Sequence, residues 1–470
     1  MAGMRDRDTV LAEYAGVHFG DARIDDRLKR IVGQILGSPA ASFPEMMGGD
    51  ADQEALYRFL ANPKVTMGAL LSGHVAATRA RLKDRARVRI IHDTSEFTFA
   101  GERAGLGTLQ GEQKKGFLGH FALAVGADEH REPFGVLAVH PFVNAHGLRG
   151  MTKSQKSRIY RAQSRAEKKS SRWEKQAIEV SAGLPEGVEA IHLMDQEADD
   201  YRVFCELTMK KLRFVIRADP RRLTAEKVRV DAFLATQAAQ VFRTVPITAR
   251  NKKKVTKPHP NRAERQAALS VRAGTIVLRP PSPSDDAPLE QLSVQAVHVF
   301  EASPPEGEAP IEWMLFTSEP VATLQDIEEV VDHYRARWVI EEYFKALKTG
   351  CAFEKRQLCS LDGLLRALAL FVPMAWTLLA LRTLGRETAE RPASAVFSVE
   401  QLRLLRALLE SRRRRLVQSP TVRDAMLGVA ALGGHIKNNG DPGWQVLGRG
   451  LRRLTEAAEA WELMRNYDQS

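Results

Sequence analysis

The sequence predicts an α/β core whose strand order is interrupted by an antiparallel β insertion and whose two ends are helical. Three observations predict it. Short β-rich runs, VRIIHD, GHFALAVGADEHREPFGVLAVHPF, VEAIHLMD and RFVIRAD, alternate with helical segments between Val88 and Asp219, the pattern of a mixed α/β layer. A stretch of 341 − 195 = 146 positions separates Asp195 from Glu341, far more than one strand and one helix need. The segments 1–75 and 386–470 carry helical rather than strand periodicity.

The elements follow in order. FGDARIDDRLKRIVGQIL begins with Asp21, a residue able to cap a helix, and DQEALYRFLANP ends in Asn62-Pro63, a stop. VRIIHD is a short strand that ends in Asp93, and two further strands flank a polar turn at Asp128–Glu132. Thr152–Ser181 is a long basic helix; VEAIHLMD then delivers Asp195 at a strand end, YRVFCELTMKKL is a helix, and RFVIR ends in Arg217. Between Arg221 and Thr317, AQVFRTVPI, AALSVRAGTIVLRP, QLSVQAVHVF and EWMLFTS alternate like strands and are separated by breaks such as PPSPSDDAP. The apolar run Ala367–Leu381 contains Pro373 and falls short of the roughly 20 residues that span a bilayer. It reads as a buried helix. At the far end Leu447, Leu451, Leu454, Ala458 and Trp461 form a heptad-like seam that could pair with another chain or pack inside.

Composition narrows the partners. Lys and Arg outnumber Asp and Glu by 69 to 58 in 470 residues, a net charge of +11, which favours a polyanion such as nucleic acid. The charge is clustered at Lys153–Lys175, Arg250–Arg265 and Arg412–Arg415, although each run alone could be a solvated face. Cys205, Cys351 and Cys359 form no CxxC pair, so neither a disulfide framework nor a structural zinc site is supported. With charges where a signal peptide needs an apolar core, the expected compartment is the cytoplasm, with no membrane partner.

The most chemically loaded segment is YRARWVIEEYFKALK. Tyr334, Arg337, Glu341 and Lys348 stand at offsets 0, +3, +7 and +14, which at about 100° per residue fall within roughly a 60° arc of one helix. Ala336, Ile340, Tyr343, Phe344 and Leu347 form an apolar arc beside it. A carboxylate flanked by a guanidinium and an ammonium suits a place that holds a cation and a phosphodiester together. The plainer use is a solvated face with i,i+4 pairs, just as Asp93 and Asp195 at strand ends could be turn formers or caps. Three carboxylates in one site would repel one another, and a divalent cation with oxygen preference relieves the repulsion.

The spacing Y-x2-R-x3-E-x6-K resembles the signature of bacterial cut-and-paste transposases of the DDE class, in the Tn-five-like branch of the insertion-sequence-four group. IIHDTSEF, LMDQEADDY and EWMLFTSEPV are similar to the family's settings for its acids and for the stretch before the signature. FGDARIDDRL, EALYRFLANPKV and ALGGHIKNNGDPGW extend the likeness nearly end to end. The resemblance implies a ribonuclease-H-like core at 76–220 and 318–385, a helical end-recognition domain at 1–75, a β insertion at 221–317 and a helical dimerisation domain at 386–470. It implies that Asp93, Asp195 and Glu341 are the catalytic, metal-holding acids, with two Mg2+ or Mn2+ ions. Tyr334, Arg337 and Lys348 would hold DNA near a hairpin, Trp313 would receive a flipped base, and Arg217 would contact the backbone. Arg23, Arg27 and Arg58 align with residues that contact terminal repeats, while Ile24 stands where the family has an arginine. Glu197 and Asp199 resemble family positions but are assigned supporting roles. The partners implied are transposon-end and target DNA and a second copy of the chain. The competing readings are a nuclease that cuts without joining and a non-catalytic DNA-binding regulator.

Overall fold

The computed structural model describes residues 7–37, 39–109, 114–143, 152, 154, 170–247, 263–280, 288–436 and 440–467. Most of the expected basic runs at 153–175 and 250–265, most of the long helix at 152–181 and most of the break PPSPSDDAP lie outside the described residues. The chain divides into two compact units: Met1–Arg158, Gly183–Glu189 and Trp338–Ser470 form one, and Ile159–Ala182 and Ala190–Arg337 form the other.

The first unit opens with helices α1 (Arg7–Ala12), α2 (Ala22–Gly37), α3 (Phe43–Met46), α4 (Asp50–Ala61) and α5 (Met67–Leu82). Their ends follow the local chemistry. Asp21 accepts the Arg23 N–H at 3.0 Å, Asn62 stops α4, and the Thr66 hydroxyl accepts the Ala69 N–H at 3.1 Å to start α5. Four antiparallel strands come next: β1 (Arg87–Phe99), β2 (Gly107–Thr108), β3 (Lys115–Gly126) and β4 (Pro133–Phe142), with β3 pairing β1, β2 and β4. The turn between β3 and β4 is the polar one expected, closed by Asp128 accepting the Arg131 N–H. One expectation changes: Asp93 does not end its strand. Alternation continues through Ser95, Phe97 and Phe99, so β1 keeps pairing with β3 as far as Phe99↔Lys115 and Asp93 stands mid-strand opposite Phe121.

The rest of this unit is helical. α10 (Trp338–Lys345) runs into a π-turn at Ala346–Gly350, and α11 (Leu361–Glu387) is a core helix with Leu368, Leu370 and Phe371 fully buried. α11 is long and apolar enough to cross a bilayer, but 89% of its apolar window is buried in the protein. Arg356 ties the first helices to this segment. Its guanidinium is buried between the Phe43 and Phe371 rings and donates to the carbonyls of Pro39, Ala41 and Cys351, while Arg366 donates to Leu60 and Val65. Buried carbonyls left without such donors would each cost about 1–3 kcal/mol. The last helices, α12 (Val399–Glu410), α13 (Val422–Leu432) and α14 (Trp444–Tyr467), close a cluster that includes Leu405, Met426, Leu447 and Leu454. Leu447, Leu451 and Leu454 of the seam therefore pack inside, and Trp461 remains 45% exposed.

The second unit holds α6 (Ser171–Ala182), β5 (Glu189–Met194), α7 (Tyr201–Met209), β6 (Arg213–Arg217), α8 (Val230–Ala235), β7 (Gln240–Ile247), β8 (Arg265–Leu278), β9 (Leu292–Glu301), β10 (Glu312–Thr317) and α9 (Leu324–Ala336). β5 and β6 are parallel, and β10, β9, β8 and β7 continue from β6 in antiparallel order. The strands between 221 and 317 thus hydrogen-bond onto β6 and share its core, where Phe204 packs against Phe214 and Phe316.

Candidate active site

In the second unit the expected residues gather at one end of the sheet. Asp195 follows β5 and Arg217 ends the parallel neighbour β6; Leu315 of β10 pairs with Arg217, so Trp313 lies just beyond that same end. Carboxyl ends of parallel strands are where α/β sheets hold ligands. Asp195 caps a short 3-10 turn at Gln196–Ala198, its Oδ1 accepting the Glu197 N–H at 2.9 Å. Burial pushes its carboxyl above the usual range; the Glu197 N–H opposes this, the Glu197 charge adds to it, and Arg337 and Arg172 oppose it. Glu197 is itself ion-paired with Arg172 at 2.5 Å, and Asp199 accepts from Arg222 and from the Asp219 N–H.

Tyr334 is buried near the end of α9, its ring edge-on to Trp313 at 6.1 Å and 5.9 Å from the Arg337 guanidinium. Burial raises its phenol, and Arg337 and Arg217 pull it back. Asp195, Arg217, Trp313, Tyr334 and Arg337 thus form one neighbourhood: a half-buried carboxylate, two guanidiniums and two aromatic faces.

The first unit holds the other acids. A cross-strand pair points to one face, so Asp93 shares its face with Phe121. Tyr343 and Phe344 of α10 lie 5.8 and 5.3 Å from the Phe121 ring, which places the helix bearing Glu341 over the face bearing Asp93. The Asp93 Oδ1 accepts the Thr94 N–H at 2.7 Å. Lys348 is drawn onto the same strand: its ammonium donates to the Glu96 carbonyl at 2.5 Å and sits 5.2 Å from the Phe97 ring. Burial lowers its pKa, with Glu354 and Glu96 opposing.

The single helical stripe expected from Tyr334 to Lys348 is corrected. α9 ends at Ala336, Arg337 joins it to α10, and the helix widens to i→i+5 bonding at Ala346–Gly350, closed by Cys351 N–H to the Ala346 carbonyl at 2.8 Å. A π-turn adds about one residue to the turn and re-aims the side chains beyond it, so Lys348 departs from a regular 100° progression. The apolar arc holds: Ala336, Ile340, Tyr343 and Leu347 are buried.

Of the arginines expected to read DNA ends, Arg23 is 91% exposed and forks onto Asp21, Arg58 is exposed and pairs with Glu54 at 3.1 Å, and Arg27 is half-buried on α2. Such surface pairs are worth about 0–1 kcal/mol and yield readily to a phosphate. Reading the sequence missed Arg172, hidden in a long basic run, and Glu354, which accepts the Thr98 N–H at 2.8 Å beside Lys348; no local pattern announces either.

Among the described residues no group of three His, Cys, Asp or Glu side chains is arranged to hold a metal ion. The donor chemistry nevertheless fits a hard divalent cation. The candidate donors are carboxylates, Asp195 is partly desolvated, and the cysteines are buried at 205 and 351 and lone at 359.

Residues 6–65 match a family model described as transposase DNA-binding, and residues 176–377 match one described as transposase DDE domain. The chain therefore joins a DNA-binding region to a DDE domain, and its mixed α/β architecture is consistent with the ribonuclease-H-like form of such domains. It is a metal-dependent DNA transposase. Asp195 and Glu341 lie inside the matched DDE span and Asp93 lies before it.

Proposed function

We propose that the chain is a Tn-five-like transposase of the insertion-sequence-four group, which binds transposon ends, cleaves them through a DNA hairpin and joins the freed 3′-hydroxyls to target DNA. The observation that carries this reading is the neighbourhood of Asp195, Arg217, Trp313, Tyr334 and Arg337 at the strand ends of the second unit. Two Mg2+ or Mn2+ ions held by Asp93, Asp195 and Glu341 would supply Lewis-acid stabilisation to the attacking and leaving oxygens. The protein's own groups do the rest. Arg337 and Arg217 offer planar forks to a phosphate, Lys348 offers a point charge, and the edge-on Trp313–Tyr334 pair leaves an indole face for an unstacked base. Two copies of the chain would each hold one end, and Arg23, Arg27 and Arg58 would read the terminal repeats.

An end-processing assay that resolves nicked, hairpin and joined products tests this. The wild-type protein is expected to join precleaved ends to target DNA; cutting with no joined product would favour the plain nuclease. In the same assay Trp313→Ala should accumulate nicks at the expense of hairpins. Base stacking worth about 1–3 kcal/mol corresponds to a hairpin step slower by roughly 5- to 150-fold. An unchanged nick-to-hairpin ratio would remove Trp313 from that role.

A further inference from the structure

The C-terminal helices carry a cluster of arginines that the assigned chemistry does not use. Arg412 donates to the Leu432 carbonyl and Arg414 to the His435 carbonyl, while Arg453 of α14 also donates to Leu432. Guanidiniums from the α12–α13 loop and from α14 are thus gathered at the C-terminal end of α13. One cation is enough to cap a helix C-terminus. Here several share one such end, and among the described residues none of Arg412, Arg414 and Arg453 is ion-paired with a carboxylate. Arg413 and Arg415 of the same loop are exposed, and Arg413 holds a left-handed backbone, φ +57°, that arginine rarely adopts. Like charges gathered without counter-charge raise one another's free energy, and a polyanion relieves it.

We propose that this cluster is a sequence-independent binding surface for the phosphate backbone of target duplex DNA. Target DNA is the source that fits. The surface offers forks held by backbone carbonyls, which suit phosphates and carry no base readout, and it lies outside the region matched as DNA-binding at 6–65. This inference rests on the joining activity proposed above.

The test uses the full chain with Arg413→Gln and Arg415→Gln combined, two exposed positions, and with Arg412→Gln as a second variant. Three quantities are read: end-DNA affinity, strand transfer from precleaved ends against target concentration, and the salt dependence of binding to a random-sequence duplex. The double variant should keep end affinity within about twofold and need several-fold more target DNA for half-maximal transfer. Its log-log salt slope should be shallower by about 1–2, since each lost phosphate contact removes roughly 0.9. An unchanged target requirement and slope would overturn the proposal. Loss of end affinity instead would assign the surface to the ends and overturn it equally. If the wild-type chain joins no ends, the joining activity fails, and the random-duplex slope still decides whether the cluster binds DNA.

Discussion

Glu341→Gln is expected to abolish end cleavage while leaving end binding intact. The substitution keeps the size of a half-buried side chain in the first turn of α10 and removes only its charge. The apolar side of that helix, with Ile340 and Tyr343 fully buried, is untouched, so the fold should survive. A cation that loses a carboxylate donor forfeits several kcal/mol of transition-state stabilisation, and at tenfold per about 1.4 kcal/mol this amounts to at least ~10³-fold in rate. End binding measured by gel shift should match wild type within about twofold, because the residues expected to read the ends lie on α2 and α4. Cleavage at the wild-type rate would refute the role given to Glu341. Parallel loss of binding would mean that the substitution had damaged the fold.

The largest stability effect is expected at Glu13. This carboxylate is 2% exposed and accepts from Arg81 at 2.6 and 3.1 Å and from His74 at 2.5 Å. The His74 Nε2 accepts the Val136 N–H at 3.0 Å, so its Nδ1 carries the proton given to Glu13. Arg81 also lies 4.1 Å from the Trp376 ring. The cluster therefore joins α1 and α5 to β4 and α11. Glu13→Ala leaves a half-buried guanidinium and a buried imidazole N–H without their acceptor, a loss of about 3–5 kcal/mol, to be read by chemical denaturation. A loss under about 1 kcal/mol would contradict this assignment.

The sign of its pH dependence is set by the two shifts. Burial alone would raise the Glu13 carboxyl, but the bonds from His74 and Arg81 outweigh it and hold it below its ordinary 4.5. Burial holds His74 below its ordinary 6.5, against the pull of Glu13. A group whose folded pKa is depressed contributes stability that is present above its unfolded pKa and lost as pH falls through the folded one. Both groups act in the same direction. The gap in unfolding free energy between wild type and Glu13→Ala should be full at pH 7 and shrink as pH falls below about 4.5.

Much of the fold was legible in the sequence because it is local. The cap at Asp21, the stop at Asn62 and the strand that delivers Asp195 each depend on a few neighbouring residues. The four strands after 240 were legible because alternation marks a half-buried strand wherever it pairs. The features that could not be read depend on partners far along the chain. β1 outlasts Asp93 because β3 is there to pair with it, and the π-turn at Ala346–Gly350 breaks a helical stripe that no residue type in the segment forbids. Arg356 looks like one more surface arginine until the carbonyls of Pro39 and Ala41 fold against it. For the site, the resemblance supplied the roles and the structure supplied neighbours: Tyr334 with Trp313 and Arg337, Lys348 with the Glu96 carbonyl.

The proposed chemistry requires oxygen donors of Asp93, Asp195 and Glu341 to meet around shared divalent ions. The most direct measurement is a crystal structure of the protein bound to its own transposon end and soaked in Mn2+, with the ions located by anomalous scattering. The expected result is two ions about 3.5–4 Å apart, ligated by all three side chains. Ions ligated elsewhere, or a bound state in which any one of the three acids contacts neither ion, would contradict it.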